Sequence, residues 1–312
     1  MSVFLFTLGG FMDQARIQSV LLKSTNKLSL SEDEMIDLFE IRGLSFIDRT
    51  LFLDFLKSHN YFDVTDYRRI YGVINDNYIG VTDKDLMDAK DFNDSLTDIL
   101  FGFTRIFEEK LRTCFAQVIA QKDKYFLDDI NNYKPIYVQI YNDIQEKYNM
   151  TEDYILHFKN RGQKVPVWAI IKALSFNEIE SCLKGFIDNS LVKDILMKTM
   201  NSNHQSRTLE HIKFVHAIRK TRNICAHFDR LLGQEIVLPN IDNLTATYQK
   251  SFFGVIYILC EYYLTSTQKT NLLFSIKNVI DMYPNILGKF VDHNNFLTEL
   301  QKFRLYLSAN AI

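Results

Sequence analysis

A chain of 312 residues with 36 basic and 38 acidic side chains carries a formal net charge of -2, which excludes capture of nucleic acid or anionic membrane through a global positive field. Any contact with RNA therefore requires a local basic patch. The four cysteines, Cys114, Cys182, Cys225 and Cys260, form no C-x-x-C pair and have no histidine at ligand spacing, which excludes a disulfide framework and a zinc site. They read as reduced core thiols of a cytoplasmic protein. The opening MSVFLFTLGGFM is apolar but lacks a positive n-region and is too short to span a bilayer. It therefore reads as neither signal peptide nor membrane helix, with Met12 as an alternative first residue and 1–11 as an upstream extension.

Four prolines and eleven glycines leave few turn boundaries, and apolar residues recur at three and four residue spacing, so an all-α fold is expected. Ser31 with Glu32 and Glu34 marks a helix start, and the apolar face from Met35 to Ile41 ends at Gly43. A second helix is predicted over 47–58. The stretch 60–81, rich in Tyr61, Phe62, Tyr67, Tyr71 and Tyr78, has no clear period; its aromatics are expected to pack rather than stack on bases. A long helix follows over 94–122, whose broad apolar face includes Leu96, Ile99, Leu100, Phe103, Phe107, Leu111 and Phe115. Further helices are expected over 135–147, 167–184 with Trp168 in the core, 192–200, 208–232 and 244–264. This divides the chain into an N-terminal helical region, 1–93, and a helical bundle, 94–312.

The most informative stretch runs from His211 to Gly233. At about 100° per residue, with Asn223 set at zero, Phe214, Ile218, Cys225 and Leu232 gather opposite it as a buried stripe, with Thr221 and Phe228 at its edge. His216, Arg219, Lys220, Asn223 and His227 fall on the other side, and Arg222 stands about 100° away with the reach to bend back. His211 and His204 read as structural or exposed.

A basic face carrying imidazole suits RNA cleavage by attack of the ribose 2′-hydroxyl on the adjacent phosphate. A histidine moves the proton, an arginine fork holds the phosphate and its growing charge, and Asn223 fixes the imidazole or bonds the phosphate. The scheme needs no metal and no cofactor. Glu108 and Arg112 stand one turn apart, the spacing of an ordinary intrahelical ion pair and, secondarily, of a support behind the catalytic residues.

Arg222-Asn223-Ile224-Cys225-Ala226-His227 resembles the R-N-x-x-x-H motif of the HEPN ribonucleases, and with Arg230-Leu231 it is similar to the RN-x-x-AH-x-x-RL segment of the AbiD and AbiF abortive-infection proteins, the Abi-like family. Ile41-Arg42-Gly43-Leu44, Asn60-Tyr61-Phe62 with Tyr67, Phe107-Glu108 through Leu111-Arg112, and Val167-Trp168 through Leu174-Ser175-Phe176 resemble further family segments in the same order, covering roughly 30–235. Asn177, Phe228 and Leu232-Gly233 depart from the family pattern.

The resemblance implies a HEPN-type bundle dimerising around two such motifs, and a metal-independent endoribonuclease, a hydrolase serving as toxin in antiviral defence. Arg222, Asn223 and His227 would be catalytic, and His216, Arg219, Lys220 and Arg230 would bind RNA, cellular or phage. A neutralising antitoxin, RNA or protein, is expected beside such an enzyme. The competing readings are a noncatalytic RNA-binding or sensor subunit and a helical scaffold that binds another protein.

Overall fold

The computed structural model describes residues 12–201, 208–238, 250–291, 295–310 and 312. The leading segment 1–11, His204 and residues 239–249, which include the first part of the helix expected over 244–264, lie outside them. Among the described residues the architecture is all-α, with isolated bridges such as Ser45 to Thr82 and Tyr133 to Phe186 in place of strands. They form two compact units, 12–94 with 283–291, and 95–282 with 295–312.

The first unit contains α1 (Gln14–Thr25), α2 (Glu32–Ile41), α3 (Arg49–Ser58) and α4 (Tyr61–Asp66), the last running into a 3-10 turn, Tyr67–Tyr71. The capping box expected at Ser31 is present: Glu34 N–H donates to Ser31 Oγ at 3.3 Å and Ser31 N–H to Glu34 at 2.9 Å. Phe39, Phe52 and Tyr78 meet edge-on in the core. The buried Asp37 is bracketed by Arg16 and Arg49, each at 2.5 Å.

The long helix α5 covers Asp83–Lys122, so it begins well before residue 94. Asp83, wholly buried at its start, accepts backbone N–H groups from Ile47 at 2.8 Å and Asp48 at 2.9 Å. That long-range anchor is invisible to a periodicity count, which explains the late start expected from sequence. Of the 60–81 aromatics, Tyr67 and Tyr78 are buried, whereas Phe62 faces solvent.

The second unit takes the rest of α5, whose Leu96, Leu100, Phe107, Leu111, Phe115 and Ile119 are sealed. Around it stand α6 (Val138–Tyr148), α7 (Asp153–Lys159), the single turn α8 (Val167–Ile170), α9 (Phe176–Gly185), α10 (Asn189–Thr199), α11 (His211–Ala226), α12 (Phe252–Ile258), α13 (Ser266–Met282) and α15 (Phe296–Ala309); the short α14 (Pro284–Leu287) belongs to the first unit. The expected helix 167–184 is thus two helices, because Ser175 and Glu178 build a capping box that starts α9 afresh. Trp168, expected in the core, is 47 % exposed. All four cysteines are free and buried, and burial pushes the Cys225 and Cys260 thiols up to about 12. A π-helical turn, Leu259–Tyr263, continues α12, and the Tyr263 hydroxyl lies 3.1 Å from Nδ1 of the buried His211.

The expected helix 208–232 ends early, at Ala226. Asp229 N–H donates to Ile224 C=O at 3.0 Å and Phe228 N–H to Cys225 C=O at 3.3 Å, the paired bonds of a Schellman cap. Phe228 occupies the left-handed position with φ 58°, where glycine is favoured. It is not at the edge of the buried stripe: its ring is 77 % exposed. Replacing it relieves backbone strain and removes almost no packing. Phe228→Gly is expected to raise stability by about 0.5–1 kcal/mol after the unfolded-state entropy of glycine is subtracted, read as a higher urea midpoint at unchanged slope; an unchanged or lower midpoint refutes the strain.

Candidate functional site

The last turn of α11 and its cap carry Arg222, Asn223 and His227. His227 is the cap residue; its N–H donates to Asn223 C=O at 3.0 Å, which fixes its backbone one turn from Asn223 while the side chain stands exposed. Asn223 is half-buried and its Oδ1 lies 3.4 Å from Arg222 Nη1, a long contact.

Arg222 is positioned from α5. Its Nε lies 3.2 Å from Glu108 Oε2, and its guanidinium stands over the Phe101 ring at 5.8 Å. The approach to Glu108 is an ion pair off the hydrogen-bonding direction, since neither Nε nor Oε2 finds a directed partner. Arg112 holds the other carboxylate oxygen, Oε1, through Nη2 at 2.5 Å and Nε at 3.0 Å. The same Arg112 donates to the carbonyls of Ile171 at 2.8 Å and Leu174 at 2.6 Å. Glu108 and Arg112 are therefore both the intrahelical pair their spacing suggests and the support beneath Arg222. Arg222 keeps 32 % of its side chain exposed, on the helix end that carries His227.

The other basic residues of α11 are differently engaged. His216 Nδ1 and Arg219 Nε meet opposite oxygens of Glu180 at 2.9 and 2.5 Å, and Lys184 joins from its own helix. Glu180 is 2 % exposed; burial alone would raise its pKa, but hydrogen bonds from Lys184, Arg219 and His216 hold it below the ordinary carboxylate range. Lys220, exposed, donates to the Glu235 carbonyl at 2.7 Å. Arg230 is 7 % exposed and donates to the Leu232 carbonyl, so little of its side chain reaches the surface. Sequence reasoning missed Glu180 and Phe101. The signal for Glu180 was a carboxylate set between Ile179 and Cys182 on an apolar helix face.

Among the described residues no group of three or more His, Cys, Asp or Glu side chains is placed to hold a metal, and no helix is long and apolar enough to cross a membrane.

Because the folded pKa of Glu180 is depressed, its stabilisation is present above the unfolded carboxylate value near ~4.3 and is lost as pH falls through the folded one. Glu180→Gln is expected to cost about 2 kcal/mol at pH 7 and to flatten the loss of stability below about pH 4, measured by denaturant melts across pH. An acid limb as steep in the variant as in the parent refutes this.

Comparison with known proteins agrees with the motif-bearing half of the chain. Searches of curated proteins and of solved structures return no significant match. The family model described as Abi-like protein matches residues 54–233, a span that holds Glu108, Arg112, Trp168 and the whole of α11 through Gly233. This chain belongs to the Abi-like protein family.

Proposed function

We propose that the chain is a metal-independent, HEPN-type endoribonuclease, acting as the toxin of an abortive-infection antiphage system and restrained by an RNA or protein antitoxin. Family membership supports the defence setting. The observation that carries the chemistry is the pairing, at one helix end, of an exposed His227 with an Arg222 braced from behind by Glu108 and Phe101.

In this reading His227 takes the proton from a ribose 2′-hydroxyl as the 2′-oxygen bonds to phosphorus. The bond from phosphorus to the 5′-oxygen breaks, and that oxygen receives a proton, leaving a 2′,3′-cyclic phosphate and a 5′-hydroxyl end. Arg222 meets the charge growing on the non-bridging oxygens. Its undirected pairing with Glu108 leaves the guanidinium able to turn toward a phosphate without losing the carboxylate behind it. Asn223 hydrogen-bonds the phosphate.

One imidazole cannot reach both sides of an in-line displacement, so a homodimer supplies a second His227 as the acid. Ile99, Phe103 and Ile106 of α5, close in sequence to the Phe101 that lies under Arg222, remain half-buried, apolar surface suited to that contact.

The test is induced expression in a bacterial host with growth and new RNA 5′ ends followed. Wild type is expected to arrest growth and produce discrete ends. His227→Ala and Arg222→Ala each lower cleavage by about a thousandfold, with RNA affinity within a few fold for His227→Ala and no effect of EDTA on the parent. Sedimentation is expected to give a dimer. Toxicity that survives His227→Ala would favour a noncatalytic RNA-binding or sensor role; cleavage by a strict monomer would remove the shared cleft.

A further inference from the structure

The second unit carries an open groove of about 420 Å³ between α7 and the Val167–Lys172 segment, within the ~300–1,000 Å³ common for ligand sites. Tyr154, His157 and Phe158 form one side, Trp168 and Lys172 the other, with Asp153 at its edge. Trp168 is the odd member of its segment. Val167, Ala169 and Ile170 are buried, yet the indole between them is nearly half exposed, although burial of so large an apolar ring would be favourable.

The groove lining itself holds one acid, Asp153, and one lysine, Lys172, and the chain that passes along it adds only cations. From His157 to Lys172 the sequence contains Lys159, Arg161, Lys164 and Lys172 and no Asp or Glu. Lys164 pairs with Asp128 at 3.1 Å. Lys159, Arg161 and Lys172 have no carboxylate partner among the described residues; Lys172 instead lies over the Tyr154 ring at 5.6 Å, and Arg161 caps His157. In a chain of net charge -2, this is a local basic patch interleaved with aromatic rings, the composition that single-stranded nucleic acid requires: cations for the backbone and flat faces for unpaired bases.

The groove is also mechanically tied to Arg222. Ile171 and Leu174, whose carbonyls accept Arg112, flank Lys172, and Arg112 shares Glu108 with Arg222. One guanidinium thus sets the register of the groove wall against the proposed catalytic arginine.

We propose that this groove is a stacking subsite for an unpaired base of single-stranded RNA, with Trp168 as the platform, Tyr154 and Phe158 as walls, and Lys159, Arg161 and Lys172 meeting the flanking phosphates. This rests on the reading of the chain as an RNA-cleaving enzyme. It makes Trp168 a positioning residue that holds substrate rather than a participant in bond breaking.

The indole is the chain's single tryptophan, so its emission reports on this groove alone. The full chain bearing His227→Ala is titrated with a dye-labelled, unstructured 12-nucleotide RNA at low salt, reading tryptophan emission and dye anisotropy together. Emission is expected to quench with the same midpoint as the anisotropy, and a duplex of the same length to leave it unchanged. Trp168→Ala weakens binding about tenfold, Trp168→Phe by no more than about threefold, and Lys172→Ala weakens binding at low salt and makes its salt dependence shallower by about one released counterion. In the active chain Trp168→Ala raises KM and leaves kcat in place. Anisotropy that reports binding while emission stays flat and Trp168→Ala binds as the parent overturns the subsite and leaves the ribonuclease reading standing. A parent chain that neither binds nor cuts RNA removes both.

Discussion

Glu108 is a carboxylate sealed inside a helical unit, 6 % exposed, and a buried charge of this kind survives only if cations reach it. Two do, and they come with obligations of their own. Arg112 spends its remaining donors on the 171–174 turn, and Arg222 brings the end of α11. One charge therefore joins the longest helix, the turn before α9 and the motif-bearing helix. The two arginines are not held alike. Arg112 is tied by directed hydrogen bonds on several sides, whereas Arg222 is held by proximity and by an aromatic face. The rigid member fixes the scaffold and the looser one faces outward.

The helix end adds a second constraint. A Schellman cap reverses the chain within two residues, so His227 is neither a helix-interior residue nor part of a loop with freedom to wander. Its backbone is pinned to Asn223 and its ring is left to solvent. Beside it the same reversal turns Phe228 outward, so the departure from the family pattern noted at this position is a matter of backbone geometry as much as of side-chain chemistry.

The all-α architecture and the buried stripe of α11 follow from apolar spacing, because Phe214, Ile218, Thr221 and Cys225 obey the helical period and their burial is local in origin. Where the sequence reading and the structure part, a distant partner decides in two places and local backbone geometry in the others. The start of α5 depends on Asp83 capping backbone groups of Ile47 and Asp48, and the status of His216 and Arg219 depends on Glu180, which lies on another helix. Trp168 sits in an apolar run that reads as core, yet a single-turn helix has no face broad enough to bury every member of it. At Ser175 the cap was written in the sequence, as Ser with Glu three residues on, but the apolar period continued through it and outweighed it.

The first unit contains a piece of chain from far downstream. Lys289 closes on Asp85 across 204 positions, Val291 N–H donates to the Ile70 carbonyl at 2.8 Å, and Phe290 meets Tyr71 edge-on. At Gly72 the approach is so close that an added Cβ would lie 2.8 Å from the Val291 side chain. The unit formed by the earliest helices thus cannot be completed when those helices leave the ribosome. At roughly 5–20 residues per second, nearly two hundred residues of the other unit must be synthesised first, so the amino-terminal unit waits on the order of ten to forty seconds for its last part. Translation itself sets the order of assembly: the unit begun first is completed only near the end of synthesis, just before α15 completes the other.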